Sequence, residues 1–339
     1  MKKLILIVLL IPIILSCKKN PATLNDFKKY PVKGIKYYQT GKVNPSNTRF
    51  LYYHNRIYWI DYHQDEFLFS MKIPPEPNSL IYNHNIKKGK GPDEFMMILS
   101  PKRYSNYISF LDSFKSSLFF FNNDTLFKEL QLSGFAPFQI QQIIKINSNY
   151  LYSGLLDSSR FVLCDAEQKI LSKYDVFPGE SNELPYKTAD KNMAYLNSFT
   201  SKNNAFVNII YDSGIIEFFK IKQDSITKIK EFKYNDFEYS LIHENGATRV
   251  SSSKDNTGFI DICSDDKYVY SLHSTISWKD NEELAYFGDY ILIYSWDGEP
   301  IKALELDTPL RGFSIVPGTN KFWGWGHDSK GLFFVEYNF

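Results

Sequence analysis

The chain has 339 residues, and its 28 Phe and 24 Tyr supply most of a 17% aromatic content, which excludes a disordered protein and leaves material for one large repeat domain or two ordinary ones. Lys and Arg total 39 against 38 Asp and Glu, and the only basic block is Lys87-Lys88 with Lys90, so the field that draws phosphate backbones has no source and nucleic acid is excluded as a partner. Flat rings and branched side chains fit a pleated surface better than a helix turn, so the expected structure is all-β.

The chain opens with Met1-Lys2-Lys3, an apolar run from Leu4 to Leu15, and then Leu15-Ser16-Cys17. The run is short for a bilayer span and contains Pro12, which disfavours an uncleaved anchor helix. Residues 1–16 resemble a bacterial lipoprotein signal peptide. That resemblance implies cleavage before Cys17, acylation of Cys17, including palmitate, and a protein tethered to a membrane of the cell envelope. Lys18-Lys19, with no acidic residue directly after Cys17, resemble lipoproteins destined for the outer membrane. Residues 17–29 are polar and read as the tether, with order expected from Tyr30.

From Tyr30 onward the chain repeats. Six strand cores stand out, beginning at Ile57, Tyr107, Tyr150, Ala205, Tyr268 and Phe322. Their second residues, Tyr58, Ile108, Leu151, Phe206, Val269 and Trp323, are 50, 43, 55, 63 and 54 residues apart, within or just beyond the period of a propeller blade. A second apolar run follows each core, and in four repeats a polar turn and a third run follow that. The clearest unit is Tyr290 to Leu306, a hairpin that turns at Asp297-Gly298 and returns with Lys302 and Glu305 outward, at the expected rim of the fifth repeat. The predicted fold is therefore a six-bladed β-propeller of four-stranded antiparallel blades over residues 30–339. The last repeat stops after its third strand, and residues 32–39 are the expected fourth, because an open edge invites aggregation. A tandem of immunoglobulin-like sandwiches is the alternative, but no Pro/Ser linker marks a boundary. Cys164 and Cys263 lie in apolar strand patterns of different repeats, which favours buried free thiols over a disulfide.

Between the first two repeats lies Lys87 to Phe95, KKGKGPDEF. Its glycines permit a tight irregular turn, whereas a phosphate-cradling loop needs a further Gly-Lys-Ser/Thr opening a helix. A Gly-x-Gly-Pro-x-Glu-Phe segment at this place (Gly89, Gly91, Pro92, Glu94, Phe95), the lipoprotein leader and six aromatic-rich repeats together resemble the TolB-like six-bladed propeller lipoproteins of Gram-negative bacteria. The resemblance implies the propeller fold and carries no catalytic residues across.

Propeller ligands usually meet the inner strands and the loops at one channel mouth. Polar residues ahead of the cores are the candidates: Arg103 for the second repeat, Gln139 and Gln141 for the third, Asn197 for the fourth, Asp261 for the fifth, Arg311 and Ser314 for the sixth. The polar connection 243–256 adds Glu244 and Arg249, since long loops on rigid scaffolds often bind. Asn197 with Asp261 is a thin basis for a calcium site, the scattered histidines show no zinc motif, and no GxSxG elbow supports a serine hydrolase. Trp323 and Trp325 share one face of a strand; with Gly324 and Gly326 between and after them, packing of blade on blade is favoured over stacking on sugars.

These readings favour a monomeric, membrane-anchored, non-catalytic binding or scaffold propeller without a cofactor, recognising a cell-envelope protein, peptide or glycan at one mouth of its channel. The alternative is a calcium-assisted hydrolase or lyase using Asp261 and Asn197.

Overall fold

The six apolar cores are the second strands of six antiparallel sheets. A computed structural model describes residues 23–38, 50–61, 68–73, 82–83, 86–91, 94–122, 125–157, 159–178, 191–193, 195–211, 213–235, 239–244, 247–252 and 258–339; Cys17 lies outside them. Blade 1 comprises Phe50–Tyr53, Arg56–Ile60, Leu68–Lys72 and Tyr82–Asn83, and blade 2 Ile98–Arg103, Ile108–Asp112, Ser117–Asn122 and Thr125–Gln131. Blade 3 comprises Ile140–Ile146, Asn149–Gly154, Phe161–Cys164 and Ile170–Tyr174, and blade 4 Asn197–Lys202, Ala205–Ile210, Ile215–Lys222 and Ser225–Lys233. Blade 5 is built on Gly258–Ser264, Tyr268–Ser274, Gly288–Ser295 and Pro300–Leu310, and blade 6 on Gly312–Val316, Lys321–Asp328 and Gly331–Asn338. The fold is all-β, as the composition indicated.

Burial follows position within the blade. A middle strand is covered on both faces by neighbouring blades, so Ile108–Asp112 and Ala205–Ile210 are buried at every residue and are mostly apolar, with Ser109, Asp112 and Asn208 the polar exceptions. The outermost strand Thr125–Gln131 is exposed along almost its whole length. The core is correspondingly divided into wedges, one at each junction. Tyr58 and Phe110 meet between blades 1 and 2, Leu118 and Tyr152 between 2 and 3, Leu151 and Phe219 between 3 and 4. Phe218 and Tyr294 meet between 4 and 5, Leu272 and Phe322 between 5 and 6. Trp323 and Trp325 fill the last wedge against Phe50, Ile57 and Trp59 of blade 1, the packing role read for them. Gly324, on the opposite face of that strand, is needed for the approach to blade 5, because a Cβ would lie 2.4 Å from Leu310 Cδ1.

The ring closes as the sequence predicted. Gly34–Tyr38 pairs antiparallel with Gly331–Asn338, Gly34 opposite Tyr337 and Tyr38 opposite Phe333, and supplies the fourth strand of blade 6. A second attachment was not foreseen. Lys29–Val32 runs parallel to Pro300–Leu310 as a fifth strand on blade 5, so the edge that carries Lys302 and Glu305 is paired rather than free. Pro31 is tolerated because the new strand is itself an edge. The chain is folded against the ring before Tyr30: a capped 3₁₀ turn, Leu24–Asp26, leads to Phe27, which is buried edge-on to Tyr294 at 5.3 Å.

The stretch read as a polar loop at 243–256 is in part a hairpin, Tyr239–Glu244 with Ala247–Ser252, which forms a separate two-stranded sheet in the chain between blades 4 and 5. Asn245-Gly246 between the strands is the sequence signal for it. Cys164 and Cys263 are free thiols. At Asp297-Gly298 the turn forms as expected, with Gly298 at φ 81°, and Asp297 pairs with Lys220 of blade 4 at 2.7 Å.

Candidate functional site

Each inner strand has one edge turned to the channel, where its N–H and C=O groups lack a ladder. Short polar side chains from the next blade fill them. Ser314 accepts from Tyr52 N at 3.0 Å, joining blades 6 and 1; Ser100 bonds both Ile143 N and Ile143 O, joining 2 and 3. Ser201 donates to Lys145 O at 3.2 Å, joining 3 and 4, and Thr200 meets Ser264 at 2.6 Å, joining 4 and 5. Asp261 joins blades 5 and 6, accepting from Phe313 N at 3.2 Å. These bonds tie neighbouring inner strands together at five of the junctions.

Within this ring lies a cavity of about 1890 Å³. It runs from Leu196, Tyr286 and Arg311, where the inner strands begin, to the tight turns that follow them at His54-Asn55, Ser105, Asn203, Asp265 to Lys267 and Gly318 to Asn320. His54, Asn55 and Asn203 adopt left-handed backbone angles in those turns. Blade 2 reaches across this end. Lys102 Nζ donates to Phe199 O on blade 4 at 2.7 Å, and Arg103 donates to Ser264 O on blade 5 at 3.0 Å and to Ile315 O on blade 6 at 2.8 Å. Lys202 joins Asp266 O nearby. Burial lowers the pKa of Arg103, with Cys263 and Asp265 opposing the shift. The same burial pushes the Cys263 thiol far up, and the Cys164 thiol up to about 11, so both are poor nucleophiles.

The sequence candidates divide. Arg103, Asp261, Arg311 and Ser314 line the cavity, Arg311 with its guanidinium 5.7 Å from the Tyr286 ring centre and 5.2 Å from that of Phe287. Gln139 and Gln141 do not: Gln139 reaches Asp157 at 3.3 Å and Gln141 turns back to Phe138 O. A bulge between Ile140 and Gln142 shifts the register, so Gln142 is the glutamine that faces the channel, with its Oε1 buried and lacking a partner among the described residues. Nothing in the alternation of residues signals that bulge.

Asn197 is also displaced from the expected site. It sits between blades 3 and 4, accepting from Ser153 Oγ at 2.8 Å and donating to Asn208 at 2.7 Å, and Asn208 in turn donates to Glu217, the fully buried partner of Arg160. The proposed pairing of Asn197 with Asp261 around a calcium ion is therefore not assembled. Among the described residues no three His, Cys, Asp or Glu side chains converge as metal ligands. Glu244 is exposed on the first strand of the added hairpin, and Arg249 is on its second strand, with its side chain outside the described residues.

The glycine motif is a clip. Phe95 N donates to Lys87 O at 2.8 Å and Gly89 N to Phe95 O at 3.0 Å, while Glu94 Oε2 takes Gly91 N at 2.8 Å. Lys115 Nζ then caps Gly91 O at 2.6 Å, and Phe95 is buried 4.5 Å from the Phe119 ring. A Cβ on Gly89 would fall 1.9 Å from Glu94 Oε2. The carboxylate holds the amide that an anion would need, so this loop shapes the junction of blades 1 and 2.

The architecture is that of a closed six-bladed propeller around a wide channel. The chain belongs to the family described as TolB-like 6-blade propeller-like, whose model matches residues 52–316. No curated protein matches its sequence. Among solved structures it is similar to a Bacteroides fragilis protein described as exported, at 12% identity and a TM-score of 0.52, over 94% of this chain and 97% of that one. It is also similar to the β-propeller domain of Cps50 (Swd1) from Myceliophteria thermophila, at 8% identity and a TM-score of 0.49, over 88% of this chain and 99% of that one. BamB from Moraxella catarrhalis matches at 10% identity and a TM-score of 0.39, over 86% and 71% of the two chains. At these identities the likeness concerns the fold.

Proposed function

We propose that this protein is a non-catalytic binding propeller of the cell envelope, held to the outer membrane by lipid on Cys17, that takes its ligand into the channel from the end formed by the inner turns. The observation that carries this reading is the cavity of about 1890 Å³, larger than the roughly 300–1,000 Å³ of most small-molecule sites and sized for an oligomeric ligand or a chain segment. The leader before Cys17 and the exported Bacteroides relative support the location. The cavity is framed by hydroxyls and cations and the buried thiols are raised in pKa, which suits recognition better than nucleophilic chemistry.

The test is binding of the full-length protein, in mild detergent, to peptide and oligosaccharide arrays, beside the variant Ser105→Trp/Asn320→Trp. Both positions are exposed turn residues at the mouth, on blades 2 and 6. The expected result is a binder lost in the variant without change in melting temperature. A binder unaffected by the tryptophans, no binder at all, or turnover of esters, lactones or glycosides by the pure protein would overturn the reading.

A further inference from the structure

The cavity is far from electrically neutral. With Lys302 of the fourth strand of blade 5 set aside, six Lys or Arg side chains line it against three carboxylates, in a chain whose totals are 39 and 38. The lining therefore carries a cationic excess that the chain as a whole does not.

The partners sharpen the imbalance. Asp265 is spent on its own turn, taking Lys267 N and Tyr268 N at 2.7 Å each and Tyr270 OH at 2.9 Å. Asp261 holds the backbone of Ile262 and Phe313. Arg103 and Lys202, by contrast, rest on carbonyl oxygens, which orient a cation without cancelling its charge. Lys145 lines the same space, and its ammonium has no bonded partner among the described residues. Positive charge held in a partly desolvated cavity attracts an anion more strongly than the same charge on open surface.

We infer that the channel ligand is an acidic oligosaccharide, its carboxylates met by Lys102, Arg103, Lys145 and Lys202 at the turn end of the cavity. This inference rests on the channel-binding reading above. An acidic peptide has the same charge, but a peptide entering a propeller channel gains most from strand-edge pairing. Those edges are in use at Tyr52, Ile143 and Phe313. What the wall offers instead is the half-buried rings of Tyr104 and Tyr268 beside the cations, the pairing that sugar ring faces and carboxylates use together.

Calorimetric titration of the full-length protein with tetragalacturonate, the neutral galactose tetramer and tetraglutamate tests this. Tetragalacturonate is expected to bind at least about tenfold more tightly than either other probe, with affinity falling as salt rises. Lys145→Gln/Lys202→Gln removes two charges without touching a packed wedge, and is expected to weaken tetragalacturonate about tenfold while leaving the melting temperature unchanged. Tetraglutamate binding more tightly than tetragalacturonate, equal binding of the neutral tetramer, no binding of tetragalacturonate, or indifference to the double substitution each overturns the inference. A neutral tetramer whose binding is lost in Ser105→Trp/Asn320→Trp would overturn only the charge argument and leave the channel reading standing.

Discussion

Glu217 is the one acidic residue in Ile215–Lys222, and it is fully buried opposite an equally buried Arg160. Arg160 donates to both carboxylate oxygens and to Val176 O, and Lys228 approaches the same carboxylate at 3.4 Å. Removing one member leaves an uncompensated charge in the wedge between blades 3 and 4, so Glu217→Ala is expected to lower unfolding free energy by about 3–5 kcal/mol, read by urea denaturation. His273 is a second buried polar residue, packed 5.0 Å from the Phe259 ring, with both nitrogens lacking partners among the described residues. Burial lowers its pKa from 6.5 to about 4. Between those values the unfolded chain binds a proton that the folded chain refuses, so stability falls as pH drops from 6.5 toward 4, by about 3 kcal/mol in all. His273→Leu is expected to flatten that part of the stability–pH curve. At this scale the sequence was partly legible. Arg103, Asp261 and Arg311 could be placed because they sit next to strong apolar cores. Asn197 and Gln141 could not, because one is claimed by Ser153 and Asn208 across a junction and the other is turned away by a bulge.

The strands themselves were the most legible feature, because a blade's middle strands are buried on both faces and leave long apolar runs between polar turns. The closing strand was readable from the missing fourth strand of blade 6. Lys29–Val32 was not, since four residues containing a proline carry little strand signal and their partner is set by packing of Phe27 into the wedge between blades 4 and 5. The hairpin at 239–252 was obscured by the polar residues between its few apolar ones. The closing strand can be tested through Gly34, whose Cβ would lie 2.3 Å from Val335 Cγ2 and 2.8 Å from Tyr337 Cζ. Gly34→Val is expected to cost about 1–3 kcal/mol by overpacking, seen as a lower urea midpoint, and to raise aggregation by loosening the cover on blade 6.

For the molecule as a whole, composition predicted a neutral protein and the fold shows a charged channel inside it. No linear window reveals this, because the Lys102-Arg103 pair, Lys145 and Lys202 lie in separate repeats and meet only when the ring is formed. The closure also bears on how the protein is made. Tyr38 bonds Asp328 across 290 residues of chain, so the strand that shuts the ring emerges early and must wait, unpaired, until the last blade exists. Assembly is therefore ordered in time: five junctions can form as the chain appears, whereas the sixth, with the finished channel, belongs only to the completed polypeptide. A nascent or truncated chain would present the cations of its early blades on an open arc, without the far wall to which Arg103 is tied.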